Sequence, residues 1–276
     1  PESEINKGVH VSRMKPVIGE NSLTMRSGPE HQRRRDALHG ILAKGTVERL
    51  VPELAGEITR IVAAVAERGT FDAHEVGAGL ALRLVSVAVF GRNALSPADE
   101  QALIAVVEEL EQDVADEMFR MLPLWPWEAR RRKKARAAGR EVLLGIVSRV
   151  RRRAAATSAM RALDEIGLTD AELADEVLTL LLAGHHTTGS NFSWILHRLA
   201  HDPDLTAAIR HEAKSVTNEA GDLTTESLKH APLSLAFCKE VLRLYPSSWW
   251  FARETQVDLT IGGRDLPKGE IGRAHV

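Results

Sequence analysis

Residues 169–200 read TDAELADEVLTLLLAGHHTTGSNFSWILHRLA, and this stretch decides the fold. Thr169 with Glu172 three residues later forms a capping box, acid sits in the first turn, and no proline intervenes before Pro203. The pattern predicts one helix running to about Ala200, roughly 48 Å long at 1.5 Å per residue, enough to cross a whole domain. Such a helix needs neighbours, and the flanking sequence supplies them. Gly28-Pro29 opens a helix carrying Leu38, Ile41 and Leu42; a second covers 47–68, with Leu50, Leu54, Ile58, Ile61 and Val65 on one stripe, closed by Gly69. Asp72 with Glu75 starts a helix ending at Gly91, and Ser96-Pro97 starts another through Leu103, Val107, Leu110 and Val114, broken at Trp125-Pro126-Trp127. An Arg/Lys-rich helix follows to about residue 153, then a loop or short helix to Gly167. Beyond Asp202-Pro203 come a shorter helix, a break at Gly221 and a helix from Pro232 to Leu244 stopped by Pro246. Only then does the pattern turn β: 255–261 alternates, Gly262-Gly263 makes a hairpin turn, and 264–267 begins the return. The fold class is mostly α, with a small β region at its end.

Composition excludes several functions. With 276 residues, 44% apolar and 27% charged, the chain can bury a large core, which excludes disorder. A net charge of −2 supplies no excess cation to displace phosphate counterions, so nucleic acid is not expected as a partner. The apolar run at Leu180, Leu181, Leu182 and Ala183 is far shorter than the roughly 20 residues of a membrane span, and no signal peptide opens the chain, so a cytoplasmic location is expected. The single cysteine, Cys238, excludes an internal disulfide and a cysteine-cluster metal site. Six of the seven residues from Arg130 to Arg136 are basic, which reads as a solvated helix face or as a docking patch for an acidic partner.

Polar residues sit on apolar stripes in three places. In the helix from Pro232, the stripe Leu233, Ala236, Phe237, Leu244 also contains Glu240, with Arg243 three residues on. Charges on an inward face need partners, so the two are expected as a buried pair rather than an ordinary exposed one. After Gly28-Pro29, His31 and Arg35 share a stripe with Leu38 and Leu42; inward cations would suit a buried anion, whereas taken alone a terminal His and a solvated Arg is the simpler reading. At the centre of the long helix stands Ala183-Gly184-His185-His186-Thr187-Thr188. Gly184 costs about 1 kcal/mol against Ala in mid-helix, which predicts a close approach to the backbone there, and Thr187 can bond back to the carbonyl of Ala183. His185 and His186 diverge by about 100° around the helix, so they do not readily bind one metal ion. His197 and His201 have metal-compatible spacing but lie where histidine usually serves the helix terminus.

Together these stretches resemble the cytochrome P-450 family of haem-thiolate monooxygenases, bacterial type. Residues 183–188 are similar to the family's oxygen-activating helix signature, Glu240-Val241-Leu242-Arg243 with Tyr245-Pro246 to its Glu-x-x-Arg helix, and 28–35 to the helix whose His and Arg hold haem propionates. Arg253 falls where a further propionate-binding Arg is common. The resemblance implies haem b as cofactor, electrons drawn indirectly from NAD(P)H through a ferredoxin- or flavoprotein-type partner, and oxygen insertion from dioxygen into an apolar small molecule. By that resemblance Gly184 gives dioxygen and substrate access, Thr187 and His186 relay protons, and His31, Arg35 and Arg253 hold propionates. Glu240 and Arg243 are then a structural pair, while Trp249, Trp250, Phe251 and Ala183 line the substrate pocket.

Two departures stand out. His186 replaces the usual acid of the oxygen-activation signature, a substitution similar to that of bacterial sterol 14α-demethylases, and would bring in an imidazole that titrates near neutrality. The family's haem-ligating Cys lies well beyond the Glu-x-x-Arg helix, whereas Cys238 lies inside it, two residues before Glu240, and reads as a small apolar residue. Residues 1–270 are therefore expected to form a single incomplete domain of this family, inactive alone. The tail, IGRAHV at 271–276, is encoded by ATC GGA AGA GCA CAC GTC, the start of a widely used sequencing adapter whose next codon is a stop, and is expected to be adapter-derived. The alternatives are a non-catalytic all-α ligand-binding protein or a pseudoenzyme without the Cys loop.

Overall fold

The computed structural model describes residues 5–7, 11–120, 122–153, 158–216 and 224–275, with the side chains at 41, 42, 118, 119, 225, 250 and 273–275 outside that description. The expected break at Gly221 also lies outside it. In chain order the helices are α1 (Lys15–Ile18), α2 (Gly28–Leu42), α3 (Lys44–Ala66), α4 (Ala73–Phe90), α5 (Pro97–Phe119) and α6 (Pro126–Val150). They continue with α7 (Ala159–Glu165), α8 (Asp170–His201), α9 (Pro203–Val216), α10 (Thr225–Lys229) and α11 (Pro232–Leu244). The strands are β1 (Ile5–Asn6), β2 (Trp250–Thr255), β3 (Leu259–Ile261), β4 (Arg264–Leu266) and β5 (Ile271–His275).

The caps read from the sequence set the helix starts. Asp72 accepts from the backbone N–H of His74 at 2.7 Å and of Glu75 at 3.0 Å, and α4 ends at Gly91 with φ 90°. Ser96 accepts from Asp99 N at 3.1 Å at the head of α5, and the Thr169–Glu172 box closes in both directions at the head of α8.

The 32-residue α8 is the axis of the molecule. Its first half, through Leu173, Val177, Leu178 and Leu181, packs into one core with Phe90 of α4, Leu103 and Val107 of α5, Ile146 and Val147 of α6 and Leu163 of α7. Against α4 the approach is backbone to backbone. A Cβ on Gly77 would lie 2.7 Å from the carbonyl oxygen of Gly189, and one on Gly189 would lie 2.9 Å from Ala78 Cα. Only glycine at these positions lets the two helices meet so closely. Helix α4 is also the one described helix long and apolar enough to cross a membrane by length and composition, yet Leu80, Ala81, Leu82, Val87, Val89 and Phe90 are buried, three of them, Leu82, Val89 and Phe90, in this core.

The β region differs from the single strand expected over 255–261. Gln256, Val257 and Asp258 interrupt it, so β2 pairs antiparallel with β1 and β5 while β3 and β4 form a separate hairpin. Gly262 and Gly263 turn that hairpin with φ of 61° and 79°, the left-handed pair that a tight two-residue turn requires. Residues 271–275, the expected tail, supply β5, with Glu254 opposite Ile271 and Arg253 opposite Gly272.

Candidate functional site

A cavity of about 1080 Å³ opens beside the centre of α8. Its apolar wall includes Leu82 of α4, Ile104 and Val114 of α5, Leu182 of α8, and Trp249 and Phe251 at the start of β2. Its polar groups converge from the same elements: Glu75, Glu108 and Glu111, then His185, His186 and Thr187, and Arg253. Convergent titratable groups in a mainly apolar cavity make this the candidate active site.

Residues 185–187 form the focus of the site. His186 Nδ1 donates to Glu111 Oε1 at 2.5 Å, and His185 Nδ1 lies 3.0 Å from Glu111 Oε2, at contact distance but off the hydrogen-bond line. The divergence of the two imidazoles is thus met by a carboxylate that offers one oxygen to each. His185 is 4% exposed while the His186 side chain stands half in solvent. The His185 and His186 imidazoles, against the effect of burial, hold the Glu111 carboxyl well below the usual range, at about 2, and Glu111 in turn raises the His186 pKa. The Thr187 hydroxyl donates to Ala183 O at 2.7 Å, the back-bond expected from the sequence. The Ser247 hydroxyl donates to the Thr187 carbonyl at 2.9 Å and so ties the segment after α11 to the same turn. Neither Glu111 nor Ser247 was among the expected site residues.

Gly184 does meet a close neighbour, and that neighbour is Val85 of α4: a Cβ on Gly184 would lie 2.6 Å from Val85 Cγ2. Helix packing therefore accounts for this glycine, which does not line the cavity, and Ala183 is exposed outside it. Trp249 and Phe251 line the cavity, whereas the Trp250 side chain lies outside the described residues. Arg253 also lines it, its guanidinium 5.1 Å from the Phe251 ring centroid and donating to Ala252 O at 2.8 Å.

The expectation of two inward cations on α2 is corrected. Arg35 is exposed, His31 is half-buried, and neither lines the cavity; the residue that turns inward is Arg34, one turn before the buried Leu38 and itself 1% exposed. Arg34 reaches Glu30 at 2.8 Å, Glu172 at 2.7 Å, Glu176 at 2.9 Å and the Asn21 carbonyl at 2.7 Å. Glu176 is equally buried, and burial pushes its carboxyl upward against the pull of Arg34. Beside it, buried Asp175 accepts from Asn21 N and Nδ2, each at 3.1 Å, and from Arg140.

Glu240 and Arg243 form their pair, at 2.6 and 2.8 Å, but on the solvent face of α11 with side chains 53% and 67% exposed. The expected inward stripe was misplaced. The face that packs toward α8 and α9 carries Ser234, Cys238 and Val241, leading to Tyr245, whose ring stacks on Trp194 at 4.0 Å. Cys238 is half-buried there, and burial alone raises its thiol pKa. His201 uses Nδ1 on the His197 carbonyl, 2.8 Å away, and no group of three or more candidate metal ligands occurs among the described residues.

The family model that matches is "Cytochrome P450", over residues 4–271. The chain is 28% identical to pentalenene oxygenase of Streptomyces avermitilis, covering 95% of this chain and 60% of that protein. It is 26% identical to cyclooctat-9-en-7-ol 5-monooxygenase of Streptomyces melanosporofaciens, over 96% and 60% respectively. The chain thus spans about three fifths of the length of these relatives. Among solved structures, a cytochrome P450 (CYP102L1) superposes with a TM-score of 0.81 at 20% identity, covering 100% of this chain and 68% of that one. The retinoic acid bound cyanobacterial CYP120A1 gives 0.75 at 23%, covering 94% and 59%. At these identities the structures establish the fold.

Proposed function

Because the chain belongs to the cytochrome P450 family, whose cofactor is haem b, we propose that the protein carrying it inserts one atom of dioxygen into an apolar small molecule. The observation that carries this reading is the convergence of His185, His186 and Thr187 on one apolar cavity also lined by Trp249, Phe251 and Arg253. When bound, haem b supplies the dioxygen chemistry, with electrons derived from NAD(P)H through a ferredoxin- or flavoprotein-type partner. The residues present meet part of what that group needs. Arg253 offers a cation at the cavity wall for a propionate, whereas His31 and Arg35 stand away from it. Cys238, the single cysteine, is held in α11 away from the cavity with its thiol form favoured by burial, so it does not fit as the thiolate that haem would need, and the 276-residue chain is proposed to be inactive alone. Thr187 and His186 are proposed as the proton-handling groups, with Glu111 raising the His186 pKa. Two relatives are named for pentalenene and cyclooctat-9-en-7-ol, which supports an apolar substrate.

The test is to recover the coding sequence downstream of residue 270, express the longer protein with haem, and record the reduced carbon monoxide spectrum of both forms. A thiolate-type spectrum from the longer protein and none from the 276-residue chain supports the reading. A stop codon before any cysteine loop, or a thiolate spectrum from the short chain, overturns it.

A further inference from the structure

We propose that His197 and His201, on the last turns of α8, form a surface site for one divalent transition-metal ion, with copper bound most tightly. The pair lies outside the cavity, on an exposed face of the helix that also carries Trp194. His197 precedes His201 by four residues, so both side chains leave the helix on one side, and their ring centroids stand 4.3 Å apart with the planes tilted by 42°. Two imidazoles one turn apart on a single helix face are how helical zinc sites present their paired ligands.

Hydrogen bonding prepares the pair. His201 Nδ1 lies 2.8 Å from the His197 carbonyl oxygen. A carbonyl only accepts, so Nδ1 carries the proton, and the neutral ring keeps its lone pair on Nε2, at the far side of the ring. A ring anchored through one nitrogen to a backbone carbonyl is the arrangement that fixes the tautomer and aim of metal-ligating histidines. His197 makes no hydrogen bond among the described residues, so its ring nitrogens are open to an ion. Packing positions it instead: the ring meets Trp194 edge to face at 5.6 Å, and Trp194 is itself stacked on Tyr245 at 4.0 Å.

The local field favours a cation. These are the closing turns of a 32-residue helix, where the carbonyl ends form the negative pole of the macrodipole, and the carboxylate of the C-cap residue Asp202 accepts from Leu205 N at 2.9 Å beside them. Arg198, next in sequence, leaves the helix about 100° round from His197. Two imidazoles leave the rest of the coordination sphere to water, so ligand type sets the choice of ion. Imidazole suits copper, nickel and zinc, with Cu²⁺ first in affinity, whereas magnesium and calcium require oxygen ligands. A bound ion would stabilise the end of α8 beside the Trp194–Tyr245 stack, through which that helix holds the residue after α11. Binding does not depend on the reaction proposed above.

The test titrates the 276-residue chain with Cu²⁺, Ni²⁺, Zn²⁺ and Mg²⁺, followed by copper electron paramagnetic resonance and tryptophan fluorescence. The expected result is one Cu²⁺ at the tightest site, a spectrum split by two imidazole nitrogens, quenching of part of the tryptophan emission, and no response to Mg²⁺. H197A and H201A should each weaken copper binding at least ten-fold, the scale on which even a ligand's hydrogen-bond partner matters, with unchanged circular dichroism. W194F should keep the two-nitrogen spectrum and lose most of the quenching. Copper binding that H197A/H201A retains at parental strength overturns the proposal and marks an adventitious ion. So does a tightest site that H186Q removes, which would place the ion at the cavity, or no copper binding at all.

Discussion

Replacing Arg34 by Ala is the sharpest perturbation of the buried polar network. Arg34 and Glu176 are each 1% exposed and 2.9 Å apart, and Glu30, Glu172 and the Asn21 carbonyl complete the guanidinium's bonds. At an effective dielectric near 20, one pair at that separation attracts by about 6 kcal/mol, a gain that desolvation of both ions largely offsets. The intact pair therefore contributes little net stability, while removing one partner strands the other. R34A should cost about 3–5 kcal/mol at pH 7, read from the urea unfolding midpoint with an unchanged slope. The loss should depend on pH. Without Arg34 the folded-state pKa of Glu176 rises further above its unfolded value, so the folded form binds the extra proton and the penalty is small near pH 4. It grows as pH rises through that elevated pKa. R34M/E176M, which removes both charges at similar volume, should recover most of the stability. A loss below about 1 kcal/mol at pH 7, or one that is flat from pH 4 to 7, would refute the reasoning.

Three further outcomes follow from the same geometry. G189A forces a Cβ to within 2.9 Å of Ala78 Cα and should destabilise by about 1–3 kcal/mol, whereas G56A on the open face of α3 should stabilise by about 0.5–1 kcal/mol; thermal melts should move in opposite directions. E111Q should lower the His186 pKa toward its ordinary value, followed by imidazole NMR titration, with His185, Glu108, Glu75, His74, Lys7 and Arg253 the other charged or titratable groups at that cavity. The Glu111 contribution to stability is present above its unfolded pKa and is lost as pH falls toward about 2. That of His186 is present below its unfolded pKa and is lost as pH rises through the raised one. The α5–α8 bridge is therefore fully charged between those limits, and amide exchange in α5, corrected for intrinsic rates, should be slowest there. L181A removes a fully buried side chain at the core of α8 and should cost about 2–5 kcal/mol by the same melts.

What was legible in the sequence is what local chemistry encodes. Asp72, Ser96 with Pro97, and Thr169 with Glu172 fixed their helix starts because a cap is satisfied within three residues. On α8 the Thr187 back-bond was legible because it closes within one turn, whereas Gly184 marked the packing of Val85 rather than the cavity. Partners far along the chain were not. Glu111 meets His186 from 75 residues away, although one signal was present: on the stripe Leu103, Val107, Leu110, Val114 it follows Val107 by four and precedes Val114 by three. Arg34 carried a similar signal, four residues before Leu38, but an inward Arg35 fits a heptad equally well and only the Glu172–Glu176 face of α8 distinguishes them. On α11 the periodicity of Leu233, Phe237 and Leu244 suggested an inward face; instead Val241 is buried and Tyr245 stacks on Trp194 of α8, which leaves Leu233 and Leu244 exposed and Phe237 half-buried.

The close crossing of α4 and α8 has a consequence for how this chain tolerates change in length. Gly77 meets Gly189 backbone to backbone and the Val85 side chain seats on Gly184, so the two helices touch at two points that leave no room for a further side chain. One residue inserted between Gly184 and Gly189 would turn the upper half of α8 by about 100° and advance it 1.5 Å, and the contacts would no longer coincide. The five-residue spacing acts as a gauge block: substitutions around it are negotiable, but the count of residues is not.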